Sequence, residues 1–139
     1  MNVDSIQNGV VIDHIAPGRG MKLYELLELE KLECAVAIMK NVPSGKLGKK
    51  DIIKIDAEIP VNLDVVGFVE PEATVNIIRN GSVAEKRRPR LPERLVNVIR
   101  CHNPRCISTT EQELDQVFCL TDRPNKVYRC LYCETQAKI

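Results

Sequence analysis

Two hydrophobic periods alternate along this chain. Residues 9–15, Gly-Val-Val-Ile-Asp-His-Ile, read as a strand entering a core, and Ala16-Pro17-Gly18-Arg19-Gly20 breaks it, since proline and glycine punctuate strongly. From residue 21 to 32 the spacing turns helical: Leu23, Leu26, Leu27 and Leu29 form an apolar stripe with Glu and Lys opposite. Residues 34–40 predict a second strand, and residues 43–50 a turn rich in Gly and Lys. A third strand follows over 51–56, then a short helix over 62–69 that Pro71 shuts off. Residues 73–79 predict a fourth strand, Asn80-Gly81 a tight hairpin, and residues 83–86 a returning fifth strand.

The order β-α-β-β-α-β-β predicts an α+β fold, a ferredoxin-like antiparallel sheet with two helices and one extra strand. Arg87-Arg88-Pro89-Arg90-Leu91-Pro92 interrupts all periodicity and reads as a connector, which divides the chain into domains 1–92 and 93–139. Short strands are predicted over 96–99, 116–120 and 126–129. A segment of this size buries too little core to fold unaided.

Cysteines supply the missing staple. Cys101-His-Asn-Pro-Arg-Cys106 and Cys130-Leu-Tyr-Cys133 are two knuckles, each placing two thiolates within reach of one ion. Four thiolates in a tetrahedron form the usual closed, structural zinc site, with no open position for water or substrate. The second domain therefore reads as a small all-β, zinc-ribbon-like unit holding one Zn²⁺. His102 adjoins Cys101 too closely to share its ion, and Cys119 and Cys34 read as core residues.

Composition narrows the function classes. Hydrophobic residues make up 44% of the 139 positions and charged residues 28%, values suited to a soluble globular chain. No run reaches the ~18 apolar residues of a membrane span, and the opening Met-Asn-Val-Asp-Ser-Ile lacks the pattern of a secretory signal. A cytoplasmic location is expected, where thiols stay reduced and serve as metal ligands. The formal charge of +1 falls to −1 once four thiolates and one Zn²⁺ (−4 + 2) are counted. That balance points to neither a nucleic-acid partner nor a membrane surface.

Lys46, Lys49, Lys50 and Lys54 form one basic cluster, and Lys86, Arg87, Arg88 and Arg90 another. Either is by itself an ordinary solvated face. The same domain also carries Asp13-His14, a carboxylate and an imidazole suited to ribose and phosphate, and Asn76, whose amide reads a base edge in both senses. Pro43-Ser44-Gly45-Lys46 lacks the glycine and hydroxyl of a phosphate-binding P-loop, so nucleotide binding without hydrolysis is the reading. Asp13 and His14 are consecutive strand residues and should point to opposite faces. With two histidines in the chain, no nucleophilic triad is available, and an enzyme is not expected. The rival reading is a zinc-ribbon nucleic-acid-binding adaptor using Arg87, Arg88 and Arg90. Residues 93–139 hold seven Lys/Arg against six Asp/Glu, too even for that role.

The strings Val-Ile-Asp-His-Ile (11–15), Asn-Val-Pro-Ser-Gly-Lys-Leu-Gly-Lys-Lys-Asp-Ile-Ile-Lys-Ile (41–55), Ala-Thr-Val-Asn-Ile-Ile (73–78), Arg-Pro-Arg-Leu-Pro-Glu-Arg (88–94) and the two knuckles resemble, in order and spacing, the regulatory chain of aspartate carbamoyltransferase. The resemblance implies a nucleotide-binding allosteric domain joined to a zinc domain, without activity of its own. It implies a regulatory-chain homodimer, zinc domains docked on catalytic chains, and two catalytic trimers held by three regulatory dimers. The implied effectors are the nucleoside triphosphates CTP, UTP and ATP, acting on de novo pyrimidine biosynthesis. Carried over, Asp13 and His14 meet ribose and phosphate, Lys86 and Lys50 the phosphates, and Lys54 ribose and base. Val3, Asp4, Ser5 and Ile6 line the base end, while Val11, Ile52, Asn76, Ile78 and Val83 complete the pocket. Cys101, Cys106, Cys130 and Cys133 match the zinc ligands. Gly81 stands where some members carry a bulky turn residue.

Overall fold

Five strands form the first sheet: β1 (Gly9–Ile15), β2 (Val36–Ser44), β3 (Gly48–Ile55), β4 (Thr74–Arg79) and β5 (Ser82–Arg87). Their spatial order is β2-β3-β1-β4-β5, with every neighbour antiparallel. With helices α1 (Gly20–Leu26) and α2 (Leu63–Val69) this is the expected ferredoxin-like plait, β5 being the added edge. The computed structural model describes residues 6–45 and 48–138; Val3, Asp4, Ser5 and Lys46 lie outside the described residues. The chain divides into two compact units, Met1–Arg90 and Leu91–Ile139. Among the described residues no helix is long and apolar enough to cross a membrane.

Strand alternation sorts the first unit. Val10, Ile12, Ile53, Ile55 and Val75 are at most 1% exposed and make one face of the core with Leu23 of α1 and Val65, Val66, Phe68 and Val69 of α2. Burial of each such side chain contributes about 1.5–3 kcal/mol. Val11, Asp13, Ile52, Lys54, Asn76 and Ile78 take the alternate positions on the opposite face. In α2, Asn62 caps the helix by accepting from the Asp64 and Val65 amides, and Gly67 is required because a Cβ there would lie 1.9 Å from the Arg90 carbonyl oxygen. The Asn80-Gly81 turn has φ of 52° and 78°, the paired positive values of a type I′ hairpin.

The first helix departs from its sequence pattern. The expected run over 21–32 ends at Leu26, and a single 3₁₀ turn (Leu29–Lys31) follows. Leu29 lies six residues after Leu23, about 240° around an α-helix, so an unbroken helix would turn it from the core. Glu28, with φ of 55°, redirects the chain, and Leu29 reaches 4% exposure. β2 starts at Val36, runs through Pro43 and carries a bulge between Met39 and Val42; an edge strand tolerates both. Cys34 precedes β2 and is half-buried, not a core residue.

Asp51, fully buried, joins three of these elements. Its carboxylate accepts from the amides of Gly18 (3.1 Å) and Gly20 (3.2 Å) at the start of α1, and of Asn41 (3.1 Å) in the β2 bulge. Arg19, at the N-cap of α1, makes no side-chain cap, so a carboxylate from β3 does that work across the fold. Asp51 also lies between Lys50 and Ile52, which face the opposite side. Asp51→Asn would set an amide NH₂ against a backbone N–H and should destabilise the chain by about 1–3 kcal/mol, read as a lower Tm by circular dichroism. An unchanged Tm would remove Asp51 from this role.

The second unit has a three-stranded sheet in the order β6-β7-β8, formed by β6 (Arg94–Val96), β7 (Val117–Asp122) and β8 (Val127–Cys130). A four-residue helix, α3 (Ile107–Thr110), follows the first knuckle and was not expected. Leu95, Val117, Phe118 and Tyr128 supply the core, and the Tyr128 hydroxyl donates to the Pro92 carbonyl. Cys119 is half-buried on β7 rather than in that core.

Candidate functional site

The two knuckles converge on one point. The Sγ atoms of Cys101, Cys106, Cys130 and Cys133 all lie within 4.8 Å of one another. Cys101 and Cys133 are separated by 3.5 Å and Cys106 and Cys130 by 3.7 Å, and all four are free thiols. A tetrahedron with metal–sulfur bonds of about 2.3 Å has edges of about 3.8 Å, so the cage fits a four-sulfur ion. His102 is exposed and outside it, and Cys34 and Cys119 do not belong to it.

The thiols differ in their surroundings. Burial pushes the Cys101 thiol well up, whereas the hydrogen bond with the Thr135 hydroxyl brings Cys133 down. Buried Gln116 braces the first knuckle: its Oε1 accepts from the Cys101 amide at 2.9 Å, and its Nε2 donates to the Ser108 carbonyl at 2.7 Å.

A pocket of about 360 Å³ opens on the outward face of the first sheet. Ile6, Val11, Ile52, Ile78 and Val83 give it apolar walls, with Asp13 and Lys54 as charged members and Gln7 and Gly81 at one end. The alternation problem at Asp13-His14 is resolved by a bulge between Ile12 and Ile15, at which His14 takes φ of 59°. Its amide donates to its neighbour's carboxylate, Asp13 Oδ1, at 2.7 Å. His14 Nδ1 meets Thr74 Oγ1 at 2.8 Å, and Thr74 is the cross-strand partner of Asp13. The extra residue thus brings both side chains to one region of the sheet.

Charge at this site is already organised. Lys50 Nζ lies 3.0 Å from Asp13 Oδ1 and 3.2 Å from Oδ2. Burial works to raise Asp13, but the bonds from Lys50 and the His14 amide outweigh it and hold the carboxyl below its ordinary value. Register places Asn76 between Val11 and Lys86. Asn76 is 9% exposed, and its Oδ1 has no hydrogen-bond partner among the described residues.

Of the residues singled out from sequence, His14, Lys50, Asn76 and Lys86 flank the pocket rather than line it. Sequence reasoning missed Gln7, Thr74, Ser108, Gln116 and Thr135. A signal existed for two of them, since a hydroxyl residue follows the second cysteine of each knuckle by two positions.

Fold and sites together define a class: a ferredoxin-like unit with an apolar-walled pocket on its outward sheet face, followed by a small β-sheet unit built on a four-cysteine cage. Residues 1–90 match the family model of the aspartate carbamoyltransferase regulatory chain, allosteric domain, and residues 93–139 match that of its metal binding domain. A regulatory chain of Bifidobacterium longum is 44% identical over 139 residues, covering 100% of both chains. That of Clostridium tetani is 44% identical over 140 residues, covering 100% of this chain and 97% of its own. That of Clostridium botulinum is 44% identical over 134 residues, covering 96% of this chain and 92% of its own. The chain belongs to the aspartate carbamoyltransferase regulatory chain family, a family of non-catalytic subunits.

Proposed function

We propose that the first unit senses nucleoside triphosphates, CTP, UTP and ATP, and that the second, holding one structural Zn²⁺, docks on the catalytic chains of aspartate carbamoyltransferase. The chain would thereby control de novo pyrimidine biosynthesis in the cytoplasm. The observation that carries the sensor reading is the β1 bulge, which sets Asp13 and His14 beside Lys50 at the rim of an apolar-walled pocket. Ile6, Ile78 and Val83 suit a base, Lys54 and Asp13 a ribose, and Lys50 and Lys86 the phosphates. Asn76 is the cross-strand neighbour of Lys86 and is assigned beside it, its Oδ1, without a partner among the described residues, open to a donor. Gly81 fits this use, since a Cβ there would press within 3.1 Å of Gln7 Oε1 at the pocket's end.

Partners follow from the surfaces left open. β2 is a sheet edge on which Val36, Ala37, Ile38 and Met39 are only half-buried, which suits pairing with a second regulatory chain. Ile107, Leu131 and Tyr132 are exposed and each lies within the knuckles or next to one, which suits docking on a catalytic chain. Four sulfur donors favour Zn²⁺, and its role there is structural.

Calorimetric titration of the zinc-loaded chain with CTP and then ATP tests the sensor. Saturable binding is expected, each nucleotide displacing the other. Absence of binding by both would sink the sensor reading and leave docking as the chain's role.

A further inference from the structure

The cage has a shell of its own, and that shell is patterned. Cys106 Sγ lies 3.0 Å from Ser108 Oγ, and Cys133 Sγ lies 3.1 Å from Thr135 Oγ1. In each knuckle it is the second cysteine that meets a hydroxyl, two residues onward. The first cysteines are held through the backbone instead: Cys101 N–H by Gln116 Oε1 at 2.9 Å, and Cys130 N–H by the Thr135 carbonyl at 2.9 Å.

Each knuckle is thus closed by its own bridge. Thr135 alone spans the shorter one, its carbonyl on Cys130 and its hydroxyl on Cys133. The longer knuckle needs two residues: Gln116 joins Cys101 to the Ser108 carbonyl, and the Ser108 hydroxyl completes the link to Cys106. Ser108 and Gln116 are 3% and 7% exposed, so bulk water does not substitute for either.

We propose that Ser108 and Thr135 are positioning residues that tune the metal site, each donating an O–H···S hydrogen bond to one thiolate, while Gln116 fixes geometry only. The proposal rests on reading the four cysteines as a zinc site. A sulfur bound to a metal ion carries no proton and can only accept, so both hydroxyls must donate. Each bond draws charge from its sulfur, easing repulsion among four thiolates around a single dication. The site then contains two classes of thiolate. Cys106 and Cys133 accept from a hydroxyl, while among the described residues Cys101 and Cys130 meet none.

The test uses the full chain loaded with Co²⁺, whose absorption reports both coordination and sulfur electronics. The wild-type chain should show the spectrum of tetrahedral four-thiolate cobalt; any other spectrum would defeat the zinc-site reading itself. Thr135→Val, isosteric and at a half-buried position, should move the sulfur-to-cobalt charge-transfer bands to lower energy. It should release Zn²⁺ to a chelator about tenfold faster, and Thr135→Ser should restore both. Ser108→Ala should repeat the shift. Gln116→Leu should speed release without moving the bands. Unmoved bands in both Thr135→Val and Ser108→Ala, with a normal wild-type spectrum, would overturn the proposal while leaving the zinc site intact.

Discussion

A chelator that strips the metal should unfold the second unit and leave the first folded. Its core rests on few apolar residues, chiefly Leu95, Val117, Phe118 and Tyr128, with Cys101, Cys106 and Cys130 buried among them. A unit this small gains about 3–5 kcal/mol from such a core. A structural zinc site contributes about 10–16 kcal/mol in zinc-finger peptides, so the metal term decides whether the unit folds. Without it, sulfurs 3.5 Å and 3.7 Å apart are left together with no ion between them, and burial already disfavours ionising Cys101. Hydrogen exchange gives the readout: amides of β7 and β8 should lose protection on chelation while those of β1 and β3 keep it. Cys130→Ser should reproduce the loss without chelator, by removing a ligand that is 2% exposed. Protection of β7 and β8 that survives chelation would show a unit held by its core, and the cysteine cage would then be an accessory.

What could be read from the sequence had local causes. The five strands, the short helix ended by Pro71 and the Asn80-Gly81 turn each depend on residues adjacent in the chain, and hydrophobic period with turn chemistry finds them. The cysteine cage was legible for a different reason: paired thiols at knuckle spacing have few other uses in a reduced compartment. The misses arose wherever a distant residue decides. The end of α1 follows from where Leu29 must reach the core, and its N-terminus is capped by Asp51, more than thirty residues away. Lys50 looked like a turn residue, yet β3 begins at Gly48 and carries it to the rim of the pocket. Strict alternation sent Asp13 and His14 to opposite faces. The bulge that reunites them is held by Thr74, sixty residues on, and no short-range pattern encodes it.

Replacing Lys86 with Ala should weaken CTP and ATP alike, by about tenfold, and by more than Lys50→Ala does. Both nucleotides present the same triphosphate, so a lysine that meets only phosphate cannot tell them apart. The two lysines differ in what they can offer. Lys50 is paired with Asp13 at 3.0 Å, and a phosphate gains from it only in competition with that carboxylate. Lys86 is exposed at the edge strand and has no ion-pair partner among the described residues, so its charge is uncommitted. A hydrogen bond to a charged group contributes about 1.5–3 kcal/mol, and solvent exposure places Lys86 at the lower end, hence the tenfold figure. Discrimination must then come from the base end, because an effector shifts an equilibrium only through its different affinities for the two states. Ile6→Ala should therefore alter the ratio of CTP to ATP affinity, with ATP losing more because a purine covers more of the Ile6 surface. Calorimetric titration of the three variants with both nucleotides separates these effects. If Lys86→Ala changed the ratio while Ile6→Ala weakened both nucleotides equally, charge and base recognition would be assigned to the wrong ends of the pocket.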